Sequence, residues 1–143
     1  ANAVAAYALF GGPAIVIDFG TATTFDALGE RGEYLGGAIA PGIEISARAL
    51  AEAAAQIHKV ELVRPASVIG KSTVEAVRSG VLLGAAAMVD GMVERMAREL
   101  GGPAVLVATG GLAPLVIEGC SSVIEYEPVL TLTGLRLIHE RNV

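Results

Sequence analysis

A single cysteine among 143 residues leaves no internal disulfide to staple this chain. Cys120 reads instead as a small buried hydrophobe. Histidine is nearly as scarce. His58 and His139 have no Cys, His or carboxylate at metal-site spacing, so both read as exposed, solvated side chains. No Ser-His-Asp or Cys-His set presents itself, which excludes triad chemistry. Aromatic residues make up only 4%, the ten basic residues form no stripe and the net charge is −5. Nucleic acid is therefore not the expected partner. Charge is sparse too, at 17% against 53% hydrophobic residues, with mean hydropathy +0.61.

No run of that apolar sequence reads as a membrane span. Ala1 to Ile17 is uncharged, but Gly11-Gly12-Pro13 interrupts it and it lacks the basic flank of a signal peptide. Ser79 to Val89 is too short for a hydrocarbon core of ~30 Å. The expectation is one cytoplasmic domain over 1–143, with a sizeable core, that covers part of its apolar surface with a partner or a further domain.

What is present is strongly patterned. Asn2–Phe10 reads as a short Ala-rich helix ended by glycine and proline. Ala14–Asp18 is a continuous apolar strand. Thr23–Leu28 alternates, with Thr24, Asp26 and Leu28 on one face, and Glu33–Ile39 follows a Gly29–Gly32 turn that suits a hairpin. The period then changes. Ile43, Ala47, Leu50, Ala54 and Ile57 share one helical face, with Glu44, Arg48, Glu52 and Gln56 opposite, and Glu44 and Arg48 are spaced as an ion pair. Thr73–Leu100 is the longest helix. Its expected buried stripe is Val74, Val77, Val81, Ala85, Met88, Met92 and Met96. Ser72 is its expected N-cap, with Glu75 at capping-box spacing. A second buried strand, Ala104–Ala108, a short helix at Leu112–Glu118, a strand near Ser122–Glu125 and a helix from Leu130 to Arg141 complete the chain. Three antiparallel strands followed by helical crossovers predict an α/β fold: a ribonuclease-H-like mixed sheet with helices on both faces, shared by many nucleotide-dependent phosphotransferases.

The chemistry gathers at Asp18-Phe19-Gly20-Thr21-Ala22-Thr23-Thr24. A carboxylate ends a hydrophobic strand, and a glycine and three hydroxyls follow. Backbone N–H groups in a Gly-Thr turn can cradle phosphate, and Asp18 can hold a cation beside it. An ordinary hairpin would explain Asp18 and Gly20, but not three threonines crowding one corner. Gly110-Gly111 ends the second buried strand, where ligands collect in open α/β sheets. Taken alone, it reads as a plain strand-to-helix turn. Gly36–Gly42 either leaves room for a substrate or lets a strand approach its neighbour closely. Gly70-Lys71-Ser72-Thr73 is not a P-loop, because Pro65 stands where the first glycine belongs. Thr73, at a helix start, is either a ligand contact or a solvated hydroxyl.

Taken together, DFGTATTFD (18–26), GGAIAPGI (36–43), GKSTVEAVRSG (70–80), TGGLA (109–113) and LTLTGLRLIHERN (130–142) resemble type III pantothenate kinases, a family that includes the Bvg accessory factors. The resemblance spans nearly the whole chain, in order. It implies the superfamily of acetate kinase, sugar kinases and actin. The implied activity is ATP-dependent phosphorylation of pantothenate to 4′-phosphopantothenate, towards coenzyme A. It further implies Mg²⁺, a monovalent cation (potassium or ammonium) and a homodimer. By motif, Asp18 would hold the monovalent cation and Gly20 and Thr21 would contact ATP phosphates. Gly110 and Gly111 would lie near the nucleotide, and Thr73 would bind pantothenate.

The departures matter as well. The family's Asp-x-Gly-Asn-Thr loop does not occur here, and its Gly-x-Asp-Arg segment, which carries the general base, would lie upstream of Ala1. The resemblance is to a C-terminal domain without its N-terminal half, so the chain alone is expected to lack kinase activity. Asp26 and Asp90 are the other aspartates; Asp26 is placed to face the cleft, Asp90 within a helix. Two other functions compete. One is a noncatalytic interaction or accessory domain of the same fold. The other is a nuclease, which would need clustered carboxylates that Thr109-Gly110-Gly111 does not supply.

Overall fold

The computed structural model describes residues 1–53 and 60–143. Its centre is a five-stranded sheet in the order β3-β2-β1-β4-β5. The strands are β1 (Ala14–Phe19), β2 (Ala22–Leu28), β3 (Tyr34–Pro41), β4 (Val105–Thr109) and β5 (Glu125–Tyr126). β1, β2 and β3 form an antiparallel meander. β4 joins β1 in parallel, and β5 joins β4 in parallel. This is the mixed ribonuclease-H-like sheet expected from the strand order. β5 is only two residues long and begins at the end of the Ser122–Glu125 segment expected for it.

Alternation divides the core between the two faces of the sheet. Val16, Leu28 and Val107 point towards helix α1 (Asn2–Phe10) and helix α6 (Leu130–Arg141), and pack with Ala5, Ala6 and Leu130. Ile15, Ile17, Phe19, Phe25 and Ala108 point the other way. There they meet α2 (Ile43–Ala53), the long helical segment Thr73–Glu99 and α5 (Ala113–Ile117). Phe19 and Phe25 are almost completely buried, and each such ring contributes roughly 1.5–3 kcal/mol through burial. Residues Ala54, Gln56, Ile57 and His58, which carried part of the expected α2 face and one expected exposed histidine, lie outside the described residues. His139 is exposed in the last turn of α6.

The long helix departs from expectation in an instructive way. It runs as α3 (Thr73–Arg78), a π-helical turn at Ser79–Leu83, and α4 (Gly84–Glu99). A π turn inserts a residue, so the buried stripe slips by one position. The expected sequence Val77, Val81, Ala85, Met88, Met92 becomes Val77, Leu82, Ala86, Val89, Val93. The methionines flank this core, and Val74 is exposed. Ser72 caps the helix as expected, its Oγ accepting from the Glu75 N–H at 3.3 Å. The Glu75 carboxylate returns to the Lys71 N–H at 2.7 Å, one residue before the cap. Thr73–Glu99 is long and apolar enough to cross a membrane by length and composition, but one face of it packs in the core beneath the sheet. Arg48 pairs with Glu52 at 3.7 Å rather than with Glu44. Both carboxylates stand four residues away, so spacing could not choose between them.

Candidate functional site

β1, β3, β4 and β5 all run towards one edge of the sheet. That edge gathers the Gly20-Thr21 turn, the Pro41-Gly42 turn and Gly110-Gly111. Asp18 is registered with Thr109 on β4 and Thr24 on β2. The structure therefore brings together five of the six residues the sequence proposed: Asp18, Gly20, Thr21, Gly110 and Gly111.

The glycines divide by cause. A Cβ on Gly110 would overlap the Phe19 backbone, and its φ is +99°. Close packing of β1 against the turn after β4 therefore accounts for Gly110. Gly42 is likewise fixed by its neighbour, because a Cβ there would overlap the Thr21 carbonyl oxygen. Within the Gly36–Gly42 stretch, Gly37 and Gly42 thus serve close approach, whereas Gly36 has open space and a φ of +115°, and Gly42 braces the Gly20-Thr21 turn from behind. Gly20 and Gly111 differ. A Cβ on Gly20 would meet nothing nearer than 3.7 Å, and one on Gly111 would meet nothing within 4 Å. Neither packing nor backbone conformation requires glycine at those two positions. Side chains there would fill the corner itself.

The corner is also rich in unspent donors. Gly20 N–H closes the turn onto the Ala22 carbonyl at 3.1 Å. The Thr21 and Gly111 N–H groups have no backbone partner among the described residues, and Thr21 is exposed. Asp18 is half-buried. Its Oδ2 accepts from Asn2 Nδ2 at 2.8 Å, while Oδ1 lies 3.7 Å from where a Gly20 Cβ would stand. Among the described residues no three His, Cys, Asp or Glu side chains gather as a metal centre. One carboxylate oxygen beside backbone groups fits a singly charged cation better than a divalent ion, which demands more charge.

One expectation needs correction. Thr21, Thr23 and Thr24 do not share one corner. Thr23 and Thr24 belong to β2, and the pleat sends Thr23 into the buried face with Phe25 while Thr24 stays on the Asp18 face. Asp26 shares that face two positions further from the corner, where the Tyr34 hydroxyl donates to it at 3.1 Å. Asp90 lies in α4 as expected. It accepts from the Ser121 N–H at 2.8 Å and from the Ser122 N–H and Oγ at 3.1 and 2.9 Å. Partial burial pushes its pKa up, but the hydrogen bonds from Ser121 and Ser122 outweigh this and hold it below the ordinary carboxylate value. Neither aspartate is free at the corner to act as a base. Cys120 is half-buried against the Val116 and Ala86 carbonyls. Burial, and then the Asp90 charge, push its thiol up to about 11, so it is an inert packing group at neutral pH.

Thr73 is placed apart from the other five. It lines a groove of about 680 Å³ on the opposite face of the sheet, with Thr23, Ile43, Gly80, Gly84 and Met88. Pro41 and Ile43, which flank Gly42, also line it. The groove and the corner therefore meet at the turn between β3 and α2. Gly80 and Gly84 have open space where a Cβ would stand, although glycine inside a helix costs about 0.5–1 kcal/mol relative to alanine. Sequence reasoning missed Asn2 and Thr131, whose side chains reach the corner only through the tertiary fold.

A family model described as type III pantothenate kinase matches residues 1–95. The chain belongs to the type III pantothenate kinase family. Its curated relatives include the type III pantothenate kinase of Streptomyces coelicolor, 62% identical over 99% of this chain and 55% of the relative. That of Thermobifida fusca is 60% identical over 99% of this chain and 56% of the relative. The chain thus spans about half the length of the curated relatives it matches. Among solved structures, a Campylobacter jejuni protein described as a Baf family transcriptional activator superposes with TM-score 0.67 at 23% identity, over 97% of this chain and 62% of that one. An activator of 2-hydroxyisocaproyl-CoA dehydratase from Clostridium difficile, with bound ADPNP, gives TM-score 0.55 at 14% identity, over 99% of this chain and 68% of that one. These likenesses show the shared fold, in agreement with the strand order above.

Proposed function

We propose that this chain is the C-terminal half of a kinase that phosphorylates pantothenate with ATP in the cytoplasm, and that the β1–β4 corner is its phosphate and cation site. The observation that carries this reading is the pair of glycines, Gly20 and Gly111, which nothing in the packing demands. They flank Asp18 at the carboxyl ends of two parallel strands. In this reading Thr21 and Gly111 direct N–H groups at ATP phosphates, and the backbone at Gly110-Gly111 lies against the nucleotide. Asp18 offers Oδ1 to a potassium or ammonium ion, and Mg²⁺ enters with ATP. Bound cations offset the charge that spreads over the transferring phosphoryl group. The chain's own part is to hold donors in place before the reaction begins.

Pantothenate would occupy the Thr73 end of the groove, whose rim at Pro41–Ile43 touches the Gly20-Thr21 turn. A second copy of the chain would cover the Gly80–Gly84 end, where small residues let helices approach closely. With Asp26 and Asp90 both engaged, the general base belongs to the N-terminal half that the longer relatives imply. The 143-residue chain by itself is then expected to bind ATP but not to turn pantothenate over. Titration calorimetry of Mg-ATP in potassium and in potassium-free buffer tests the reading. Binding strengthened by potassium, and lost in Asp18→Ala, supports it. Wild-type binding in Asp18→Ala refutes it. The same outcome would favour a noncatalytic domain of the same family.

A further inference from the structure

Asp18 is held on one side only. Asn2 Nδ2 donates to Asp18 Oδ2 at 2.8 Å, and Asn2 Oδ1 accepts from Thr131 Oγ1 at 2.7 Å. The two bonds fix which end of the Asn2 amide faces the carboxylate, because only its NH₂ can donate and only its oxygen can accept. We propose that Asn2 is the positioning residue of the cation site: it pins one carboxylate oxygen of Asp18 so that the other is presented to the ion beside Gly20. The proposal rests on the reading of the corner given above and adds a residue to it.

The surrounding packing makes Asn2 a rigid support. Asn2 is the first residue of α1, one past the N-cap position that asparagine favours. Ala1 holds that position and makes no side-chain hydrogen bond, and the Asn2 amide goes to tertiary contact instead. α6 approaches so closely that a Cβ on Gly134 would overlap the Ala1 carbonyl oxygen. Gly134 lies one turn beyond Thr131, which fixes the span between Thr131 and Asn2. Leu130, fully buried, anchors the same end of α6. Two helices and a strand are thereby joined through a single amide at the functional edge.

The geometry is also selective about which oxygen is engaged. No described residue donates a hydrogen bond to Asp18 Oδ1, and that oxygen faces Gly20. Without Asn2 the carboxylate could rotate about its Cβ–Cγ bond and divide both oxygens between water and the ion. Pre-orientation lowers the ordering cost of binding, so its loss weakens the cation while leaving the charge in place.

The test measures Mg-ATP affinity by calorimetry across a potassium titration, in the protein and in Asn2→Leu, Thr131→Val and Asp18→Ala, with thermal midpoints recorded for each without ligand. Asn2→Leu is expected to raise the potassium concentration for half-maximal effect by about tenfold, the equivalent of one lost hydrogen bond to a charged group. Thr131→Val, a surface change that leaves the Asn2–Asp18 bond possible, is expected to raise it by about threefold. In both, saturating potassium restores wild-type ATP affinity, a rescue that simple loss of folded protein would not show. Asp18→Ala is not rescued. If Asp18→Ala loses the potassium effect while Asn2→Leu and Thr131→Val both keep the wild-type half-saturation, the positioning role is overturned and the corner stands. If Asp18→Ala keeps the potassium effect, the corner itself falls, and Asn2 with it.

Discussion

The two faces of the sheet are finished differently. On the α1/α6 face the polar groups at the functional edge are tied together: Thr131 bonds Asn2, and Asn2 bonds Asp18. On the opposite face Thr73 stands exposed at the mouth of an apolar groove, beside helix glycines that pack against nothing. One face is organised within this chain. The other is left open, and in the proposed reading a substrate or another copy fills it. A site that the sequence presented as one constellation is thus split by the sheet. Its halves meet only at the Pro41–Ile43 turn.

Substitutions at Asp18 should break this contrast most completely. Asp18→Ala is expected to lower potassium-supported ATP affinity by at least tenfold, the scale of a lost charged ligand. The far groove should be untouched, and the unliganded thermal midpoint should fall by no more than loss of the Asn2–Asp18 hydrogen bond accounts for. Next in size is the contrast among the glycines. Gly110→Ala forces a Cβ into the Phe19 backbone at positive φ and should cost about 2–3 kcal/mol by denaturant titration. Gly20→Val and Gly111→Val should leave stability within about 0.5 kcal/mol yet abolish ATP binding. If the latter pair bind ATP normally, the corner is a turn and no more.

The groove is sharpened by Gly84→Leu. Sedimentation of the protein should show a dimer that dissociates in this variant if a second copy seats there. If instead the face is free, Gly84→Ala simply stabilises the helix by about 0.5–1 kcal/mol.

The smallest effect belongs far from either site. Asp90→Asn should cost about 1 kcal/mol at neutral pH by loosening the loop at Ser121-Ser122 from α4. Because the folded state depresses the Asp90 pKa, its contribution is present above the unfolded carboxylate value. It fades as pH falls through the lower folded value. Wild-type and variant denaturation curves should therefore converge in acid.

What was legible in the sequence follows from how local each signal is. Strand pairing was readable because alternation and a glycine turn at Gly29–Gly32 carry it within a few residues. The Ser72 cap was readable for the same reason. The candidate corner was half readable. Asp18 and Gly20 announce themselves, and the alternation expected over Thr23–Leu28 already put Thr23 and Thr24 on opposite faces, as β2 does, so crowding all three threonines into one corner overlooked the pleat. The π turn at Ser79–Leu83 left no periodic signature that could be told from an ordinary helix. It moved the buried stripe by one residue and placed Gly80 and Gly84 on the groove. Asn2 and Thr131 were out of reach altogether. They are separated by most of the chain, and only the packing of α6 against the start of α1 makes them neighbours of Asp18.

Amide chemical-shift mapping with Mg-ATP in potassium buffer tests the central claim most directly, since it reports on the N–H groups assigned to the phosphates. The account predicts the largest shifts at Thr21 and Gly111, with the Gly80–Gly84 face silent. Saturable ATP binding that leaves those two amides unmoved would contradict it.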